Sequence, residues 1–299
     1  MPNPTRDTVA GRVYNDLRNL ARRTGRPTDE VMLEYVLERF LYRLSIHPLG
    51  GQHFVLKGGL LLAQFGARRM TRDIDILGRA FPDDADEITR RISTIAATPV
   101  DDGVTFDPGS LTTVPIRQED EYHGLRLAMA AALSRAHLKL QLDISFGDPV
   151  TPGPTKIEYR QYLSAQPFAL YGYPIATVIA EKLSTAVALG DLNTRDRDYA
   201  DLYQLITRHR LDGGQLSDAL AATAEHRGIR LRPLSSGITD LPTRRQSSYT
   251  AWLRRQGSAV RDHPKQFADV VAAVTAFADP LLADVVRQRT WDPSTTTWI

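Results

Sequence analysis

Residues 138–146, LKLQLDISF, alternate between apolar and polar side chains along their whole length. Because successive side chains of a β-strand point to opposite faces, this alternation predicts a strand with one face in a core and the other face polar. Residues 73–77, DIDIL, repeat the pattern over a shorter length. If the two strands pair, Asp143 of one strand joins Asp73 and Asp75 of the other. The sequence therefore predicts a sheet with carboxylates on its polar face.

Helical periodicity dominates the rest of the chain. Val13, Leu17 and Leu20 recur at helical spacing within residues 5–49, and residues 31–41 repeat this pattern. We predict strands at residues 54–56 and between residues 104 and 146, and helices at residues 60–65, 83–97, 174–189, 196–209, 214–226, 248–256 and 265–288. After residue 174 we expect only helices and loops.

These elements predict an α+β fold. We expect it in three segments, namely an N-terminal helical segment at 1–50, a core that contains the sheet at 51–165, and a helical C-terminal domain at 166–299. Turn residues at 151–154, TPGP, favour a break in the chain shortly after the long strand.

Composition excludes several classes of protein. Charged residues make up 24% and hydrophobic residues 42% of the 299 residues, which is typical of a globular chain and not of a disordered one. The longest near-apolar stretch, at 127–133, is too short to cross a bilayer. The first residues include acids and no apolar run, unlike a secretory signal. Cysteine is absent, which excludes thiol nucleophiles and cysteine-based metal centres. We expect a cytoplasmic protein that binds no membrane.

The Asp73-Ile-Asp75 motif is the strongest chemical signal in the chain. Two carboxylates on one face of a strand repel each other unless one stays protonated or a cation lies between them. Carboxylate oxygens of this kind suit Mg²⁺, which keeps water or phosphate as its other ligands. An isolated pair is better explained as solvent-facing acids. A third carboxylate, Asp143, favours instead the site of a metal-assisted phosphoryl transfer.

Other residues lie where contact with phosphate or with an ion is favoured. Gly58 and Gly59 follow a predicted strand and begin a helical segment, which lets backbone N–H groups approach a phosphate. Lys182 lies on the apolar stripe of its helix, so it either extends outward or pairs with an anion. Asp198 shares a helix face with Leu202, so it is either an inward-pointing acid or an ordinary acid in the first helical turn.

Together these motifs resemble those of the AbiEii/AbiGii family of nucleotidyltransferase toxins, within the polymerase-β-like nucleotidyltransferase superfamily. The resemblance rests on KGG at 57–59, RMTRDID at 69–75, EK at 181–182 and RDRDYADL at 195–202. In this chain, Thr71 is the small hydroxyl residue that usually precedes the family's Asp-x-Asp. After about residue 210 we match no motif. The resemblance implies a core with a small mixed sheet and helices, followed by a helical domain.

The resemblance also implies a function. Members of the family transfer a nucleoside monophosphate from an NTP to an acceptor with the help of Mg²⁺. Several resemble toxins that modify the acceptor end of tRNA and block translation, and such toxins are usually encoded beside a protein antitoxin. We therefore expect an NTP, tRNA and a cognate antitoxin as partners. A small-molecule acceptor, a protein hydroxyl as acceptor, and a catalytically silent nucleotide-binding module are the alternatives.

Roles for individual residues follow from the matched motifs. The resemblance implies metal binding by Asp73 and Asp75, phosphate contact by Gly58, Gly59 and Thr71, triphosphate binding by Lys182, and a second catalytic acid at Asp198. Lys57 and Arg195 are further candidates for nucleotide binding. Asp143 is a candidate third metal ligand and catalytic residue from the strand pattern alone. Either Asp143 or Asp198 is the hypothetical acceptor of the hydroxyl proton.

The overall charge does not identify an RNA-binding protein. The formal net charge is only +2, so contact with RNA would depend on local basic clusters. Arg68, Arg69, Arg244 and Arg245 are the candidates for such contact. Taken separately, each cluster is better explained as a solvated basic surface.

Overall fold

The computed structural model describes residues 4–67, 70–117 and 123–299. Contacts between Cα atoms divide the chain into two compact units. The first unit contains the chain up to Leu60 together with Met70–Gly147 and Lys156–Gly172, and the second contains Leu61–Arg69, Asp148–Thr155 and Tyr173–Ile299. The division into three segments stays a prediction. Within the described ranges, none of the helices combines the length and apolar character that crossing a bilayer requires.

A mixed sheet forms the centre of the first unit. Its strands are β1 (Phe54–Lys57), β2 (Ile74–Gly78), β3 (Val104–Arg117), β4 (His123–Leu133), β5 (Ala136–Phe146), β6 (Thr155–Tyr159) and β7 (Phe168–Gly172). Their order across the sheet is β3-β4-β5-β2-β1-β7-β6. β2 runs parallel to β5 and antiparallel to β1, whereas β3, β4 and β5 form an antiparallel meander. The strands predicted at 54–56, 73–77 and 138–146 are confirmed, and β6 and β7 add two short strands that the sequence analysis does not predict.

Helices cover the apolar face of this sheet. They are α1 (Val9–Thr24), α2 (Thr28–Ile46) and α4 (Ala85–Ala96), while the short helix α3 (Gly58–Gln64) follows β1 directly. Leu140, Leu142 and Ile144 of β5 are fully buried on the covered face, and Phe40 of α2 meets Phe106 of β3 edge to face at 5.8 Å. Because odd-numbered residues of β5 point the other way, the opposite face is left to polar side chains.

Local signals in the sequence set the ends of these helices. The Thr8 hydroxyl accepts the backbone N–H at position 11 at the start of α1, and Gly25 ends that helix in the left-handed conformation with a φ of 66°. Asp84 caps α4 in the same way as Thr8 caps α1. Ile88 and Ile92 then recur at helical spacing, and their burial fixes the face that α4 turns to the core.

The second unit is mainly helical. Its helices are α5 (Ile175–Leu189), α6 (Asp196–Arg208), α7 (Gly213–His226), α8 (Leu241–Gln256) and α9 (Phe267–Leu282). The expectation of helices and loops alone after residue 174 is wrong, because β8 (Leu211–Asp212), β9 (Thr290–Asp292) and β10 (Thr297–Trp298) form a small antiparallel sheet.

Two helix boundaries in this unit also differ from the prediction. α8 begins at Leu241 and not near 248, because Pro242 occupies a first-turn position where proline is well tolerated. α9 ends at Leu282 and not at 288. Turns follow at 283–289, and β9 and β10 then join the small sheet, where the Trp291 and Trp298 rings lie 5.0 and 5.2 Å from the Phe277 ring. These aromatic contacts join distant parts of the chain, so local periodicity does not reveal them.

Candidate active site

Three carboxylates converge on the polar face of the sheet in the first unit. One oxygen from each of Asp73, Asp75 and Asp143 lies within 4.8 Å of the other two. The register explains the convergence, because Asp75 of β2 lies directly beside Asp143 of the parallel strand β5. Asp73 immediately precedes β2, and all three side chains are partly exposed. The prediction that the two strands pair and bring these carboxylates together is confirmed.

Arg126 belongs to the same cluster, although the sequence analysis does not single it out. It lies opposite Asp143 in the register of β4 and β5. Its Nε and Nη2 atoms donate to the two oxygens of Asp143 at 2.8 and 2.6 Å. This hydrogen bonding raises the pKa of Arg126 above its ordinary value, and the charges of Asp73 and Asp75 raise the pKa further. The two-residue turn at 134–135 fixes the register, so locating that turn in the sequence would have revealed Arg126.

The backbone at the start of α3 lies close to one of the carboxylates. Gly58 adopts a φ of 66°, and a Cβ atom at this position would overlap the carboxylate of Asp75. Only glycine adopts this positive φ readily and also leaves the Asp75 carboxylate where it is. Lys57 lies opposite Asp75 in the register of β1 and β2, and Gly59 is the second residue of α3. The structure thus brings the KGG motif and the Asp-x-Asp motif together.

Thr71 orients the first carboxylate of the cluster. Its hydroxyl donates a hydrogen bond to Oδ1 of Asp73 at 3.0 Å, and the residue is buried. The hydroxyl of Thr71 is therefore engaged with the Asp73 carboxylate, and the predicted contact between Thr71 and a phosphate stays a prediction.

A second ionic cluster lies in the second unit. The Nζ atom of Lys182 donates to Asp198 at 2.7 Å and to Asp201 at 2.8 Å, and the two carboxylate side chains are only 4% and 3% exposed. Arg195 also donates to Asp198 through Nε. Of the two outcomes considered for Lys182, pairing with an anion is confirmed. Asp198 points inward, as one of its two interpretations requires.

Charge and burial act in opposite directions on Asp198. Burial raises the pKa of its carboxyl, but the neighbouring charges of Lys182 and Arg195 lower the pKa by more, so it lies well below its ordinary value. Asp201 completes the cluster and is absent from the predicted site residues. The signal that could have identified it is its spacing of three residues from Asp198, which places both carboxylates on one face of α6.

A family model described as the nucleotidyl transferase AbiEii toxin of type IV toxin–antitoxin systems matches residues 39–275. The chain belongs to the AbiEii nucleotidyltransferase toxin family. The match includes every residue of both ionic clusters of this AbiEii protein. No curated protein matches the chain.

Two solved structures are similar to this AbiEii protein. One is a candidate nucleotidyltransferase from H. pylori, and the other is JHP933 from Helicobacter pylori. Each has 15% sequence identity and a TM-score of 0.48. The first comparison covers 86% of this chain and 96% of the other, and the second covers 87% and 94%.

The remaining arginine candidates have different surroundings. Arg68 and Arg69 lie outside the described residues. Arg245 forms two hydrogen bonds with the carboxylate of Asp196, at 2.8 and 2.7 Å, so its guanidinium is already engaged. Arg244 is exposed.

Proposed function

We propose that this AbiEii protein transfers a nucleoside monophosphate from an NTP to the acceptor end of tRNA in a reaction that depends on Mg²⁺. Such a transfer would block translation, and a cognate protein antitoxin would restrain it. The observation that carries the proposal is the convergence of Asp73, Asp75 and Asp143 on one face of the sheet. Membership of a nucleotidyltransferase toxin family supports the same reaction class.

The carboxylate cluster fits a divalent cation. Its oxygens lie within 4.8 Å of one another and are partly exposed, so one ion can reach all three residues. Oxygen donors without histidine or cysteine suit Mg²⁺ better than a transition metal. Asp73, Asp75 and Asp143 would therefore hold the ion. When bound there, Mg²⁺ would neutralise charge on the phosphoryl oxygens of the NTP.

The proposed reaction is an in-line displacement at the α-phosphorus. The acceptor hydroxyl oxygen forms a bond to the α-phosphorus while the bond from that phosphorus to the α,β-bridging oxygen breaks. Pyrophosphate leaves, and the hydroxyl proton passes to a base. Because the chemistry needs no covalent enzyme intermediate, the protein mainly positions the reactants and stabilises charge.

The residues of the first unit have defined tasks in this proposal. Gly58 and Gly59 present backbone to a phosphate without a side chain in the way, and Lys57 adds positive charge beside them. Thr71 keeps the Asp73 carboxylate in one orientation through its hydrogen bond. Arg126 holds both oxygens of Asp143. Thr71 and Arg126 are therefore positioning residues, because each holds a carboxylate that would contact the cation.

The residues of the second unit provide a fixed cation. Asp198 and Asp201 hold Lys182 in one position, and the family resemblance assigns Lys182 to the triphosphate. Arg195 is our further candidate for nucleotide contact. Asp198 is a poor proton acceptor, because its neighbouring cations keep its pKa below the ordinary value.

Incubation of the purified protein with each α-³²P-labelled NTP, Mg²⁺ and total tRNA tests the proposal. We expect label in tRNA from the wild type and at least about a hundredfold less from Asp75→Asn, since removal of one such electrostatic group commonly costs that much in rate. Asp86→Asn is the matched control. It removes an exposed carboxylate from α4 in the same unit, and its rate should equal that of the wild type.

Other outcomes distinguish the alternatives. Label in protein or in a small molecule would refute tRNA as acceptor while preserving nucleotidyl transfer. No label in any acceptor, together with NTP binding that Asp75→Asn abolishes, would favour the silent nucleotide-binding module.

A further inference from the structure

Helix α8 has an unusual charge composition. Its sequence, LPTRRQSSYTAWLRRQ, contains four arginines and no acidic residue. Arg244 and Arg255 are eleven residues apart, which is close to three full turns, so they share one side of the helix about 16 Å apart along its axis. Arg254 lies beside Arg255, and all three are exposed. We call the exposed residues Thr243, Arg244, Ser247, Arg254 and Arg255 the α8 basic face.

These three arginines are not matched by carboxylates. In the part of the chain that the structure describes, no ion pair joins Arg244, Arg254 or Arg255 to an acid, whereas their neighbour Arg245 is held by Asp196. Helix stability explains only part of this arrangement. Arg254 and Arg255 lie in the last turn, where the helix dipole favours positive charge, but Arg244 is near the start, where the dipole disfavours it.

The other residues of the α8 basic face indicate which partner it fits. Thr243 and Ser247 are exposed beside the arginines, and hydroxyl groups donate hydrogen bonds to phosphate oxygens. Residues 241–256 are all described, and none of them is an exposed large hydrophobic side chain. Protein interfaces usually have an apolar or aromatic centre, and a helix that lies on a membrane needs an apolar face. The face therefore favours an extended polyanion.

We propose that the α8 basic face binds the phosphate backbone of the acceptor RNA. Arginine suits this task because its planar guanidinium donates two parallel hydrogen bonds to one phosphate. Contacts of this kind fix the position of the RNA without reading its sequence. The inference rests on the proposed transfer to tRNA and adds a recognition surface to it.

The test compares two triple variants with the same change in net charge. Arg244→Gln/Arg254→Gln/Arg255→Gln removes the cations of the α8 basic face. Arg22→Gln/Arg23→Gln/Arg230→Gln is the matched control, since these arginines are exposed and lie outside α8. Binding of fluorescently labelled tRNA is measured by anisotropy across a series of NaCl concentrations, without NTP and in EDTA. Circular dichroism confirms that both variants fold.

We expect the α8 variant to bind tRNA at least about tenfold more weakly at 0.15 M salt. The negative slope of the logarithm of its association constant against the logarithm of the salt concentration should become shallower by about 2–3, as expected for the loss of three phosphate contacts. The control should keep the affinity and slope of the wild type. In the transfer assay, the KM for tRNA should rise in the α8 variant while the KM for NTP stays unchanged.

Equal tRNA binding by the α8 variant and the wild type would overturn the inference and leave the proposed function intact. Unchanged tRNA binding with a selective loss of poly-L-glutamate binding would also overturn it, in favour of an acidic protein partner. A wild-type protein that binds tRNA through α8 but transfers no nucleotide would refute the proposed function and keep the inference. A wild-type protein that binds no tRNA would refute both.

Discussion

Replacing Lys182 with methionine should destabilise the second unit strongly. The substitution keeps a long unbranched side chain, one atom shorter, but leaves the buried carboxylates of Asp198 and Asp201 without their shared cation. Removing one partner of a buried ion pair costs about 3–5 kcal/mol. Because Arg195 still neutralises Asp198, we expect the lower end of that range, about 3 kcal/mol. Proteins of this kind are stable by about 5–15 kcal/mol, so the variant should still fold.

Urea denaturation followed by tryptophan fluorescence measures this effect directly. The chain has three tryptophans, and all of them (Trp252, Trp291 and Trp298) lie in the second unit. Lys265→Met is the control, because Lys265 is an exposed lysine of the same unit and its loss should change stability by less than about 0.5 kcal/mol.

A double-mutant cycle then tests the electrostatic cause. In Lys182→Met/Asp201→Asn, the charge of one of the two carboxylates that contacted Lys182 is removed as well. Stability should recover relative to Lys182→Met, with a coupling energy on the order of 1–3 kcal/mol. A Lys182→Met variant as stable as the wild type, or a cycle without coupling, would refute the interpretation of this cluster as a buried and mutually dependent charge network.

Three further predictions concern individual residues. Gly58→Ala should abolish transfer because its Cβ displaces Asp75, whereas Gly25→Ala has the same φ of 66° with open space around the new Cβ and should stay active; equal activity losses would mean that backbone strain alone is responsible. Arg126→Gln should bind Mn²⁺ roughly threefold more tightly in a titration followed by electron paramagnetic resonance, because the partly exposed ion pair with Asp143 no longer competes with the metal for that carboxylate. Weaker Mn²⁺ binding by this variant would contradict the prediction. The pKa of Asp198 is lowered in the folded state, so the ionised carboxylate stabilises the fold fully above its ordinary pKa of about 3.9, and this stabilisation is lost as the pH falls below that value. The free energy of unfolding of the wild type should therefore fall more steeply than that of Asp198→Asn between about pH 5 and 3. Parallel slopes for the two proteins would exclude this stabilisation by Asp198.

The carboxylate cluster could be predicted from the sequence because its cause is local. A strand has a strict period of two, so alternation alone placed Asp73 and Asp75 on one face and gave Asp143 the matching parity. The pairing of the strands was a single further step, which the register confirms. The helical character of residues 5–49 and of the segment at 83–97 followed in the same way, from apolar residues at helical spacing.

Partners that are distant in the chain could not be predicted in this way. Arg126 reaches Asp143 only because a hairpin fixes their register, and periodicity does not report register. Asp201 becomes significant only through Lys182, nineteen positions away on another helix. The strands of the small sheet in the second unit contain Trp291 and Trp298, which contact Phe277 of α9. In each case a contact between residues distant in the chain is decisive, and the periodicity of apolar residues does not report it.

If Asp73, Asp75 and Asp143 form a divalent metal site, the thermal stability of the protein should depend on metal. A ligand that binds only the folded protein stabilises it by about 2.7 kcal/mol at a hundred times its dissociation constant. Unfolding of the wild type and of Asp75→Asn should be compared in EDTA, in Mg²⁺ and in Mn²⁺. We expect both metals to raise the unfolding temperature of the wild type and to leave that of Asp75→Asn nearly unchanged. An equal response of the two proteins would contradict the metal site.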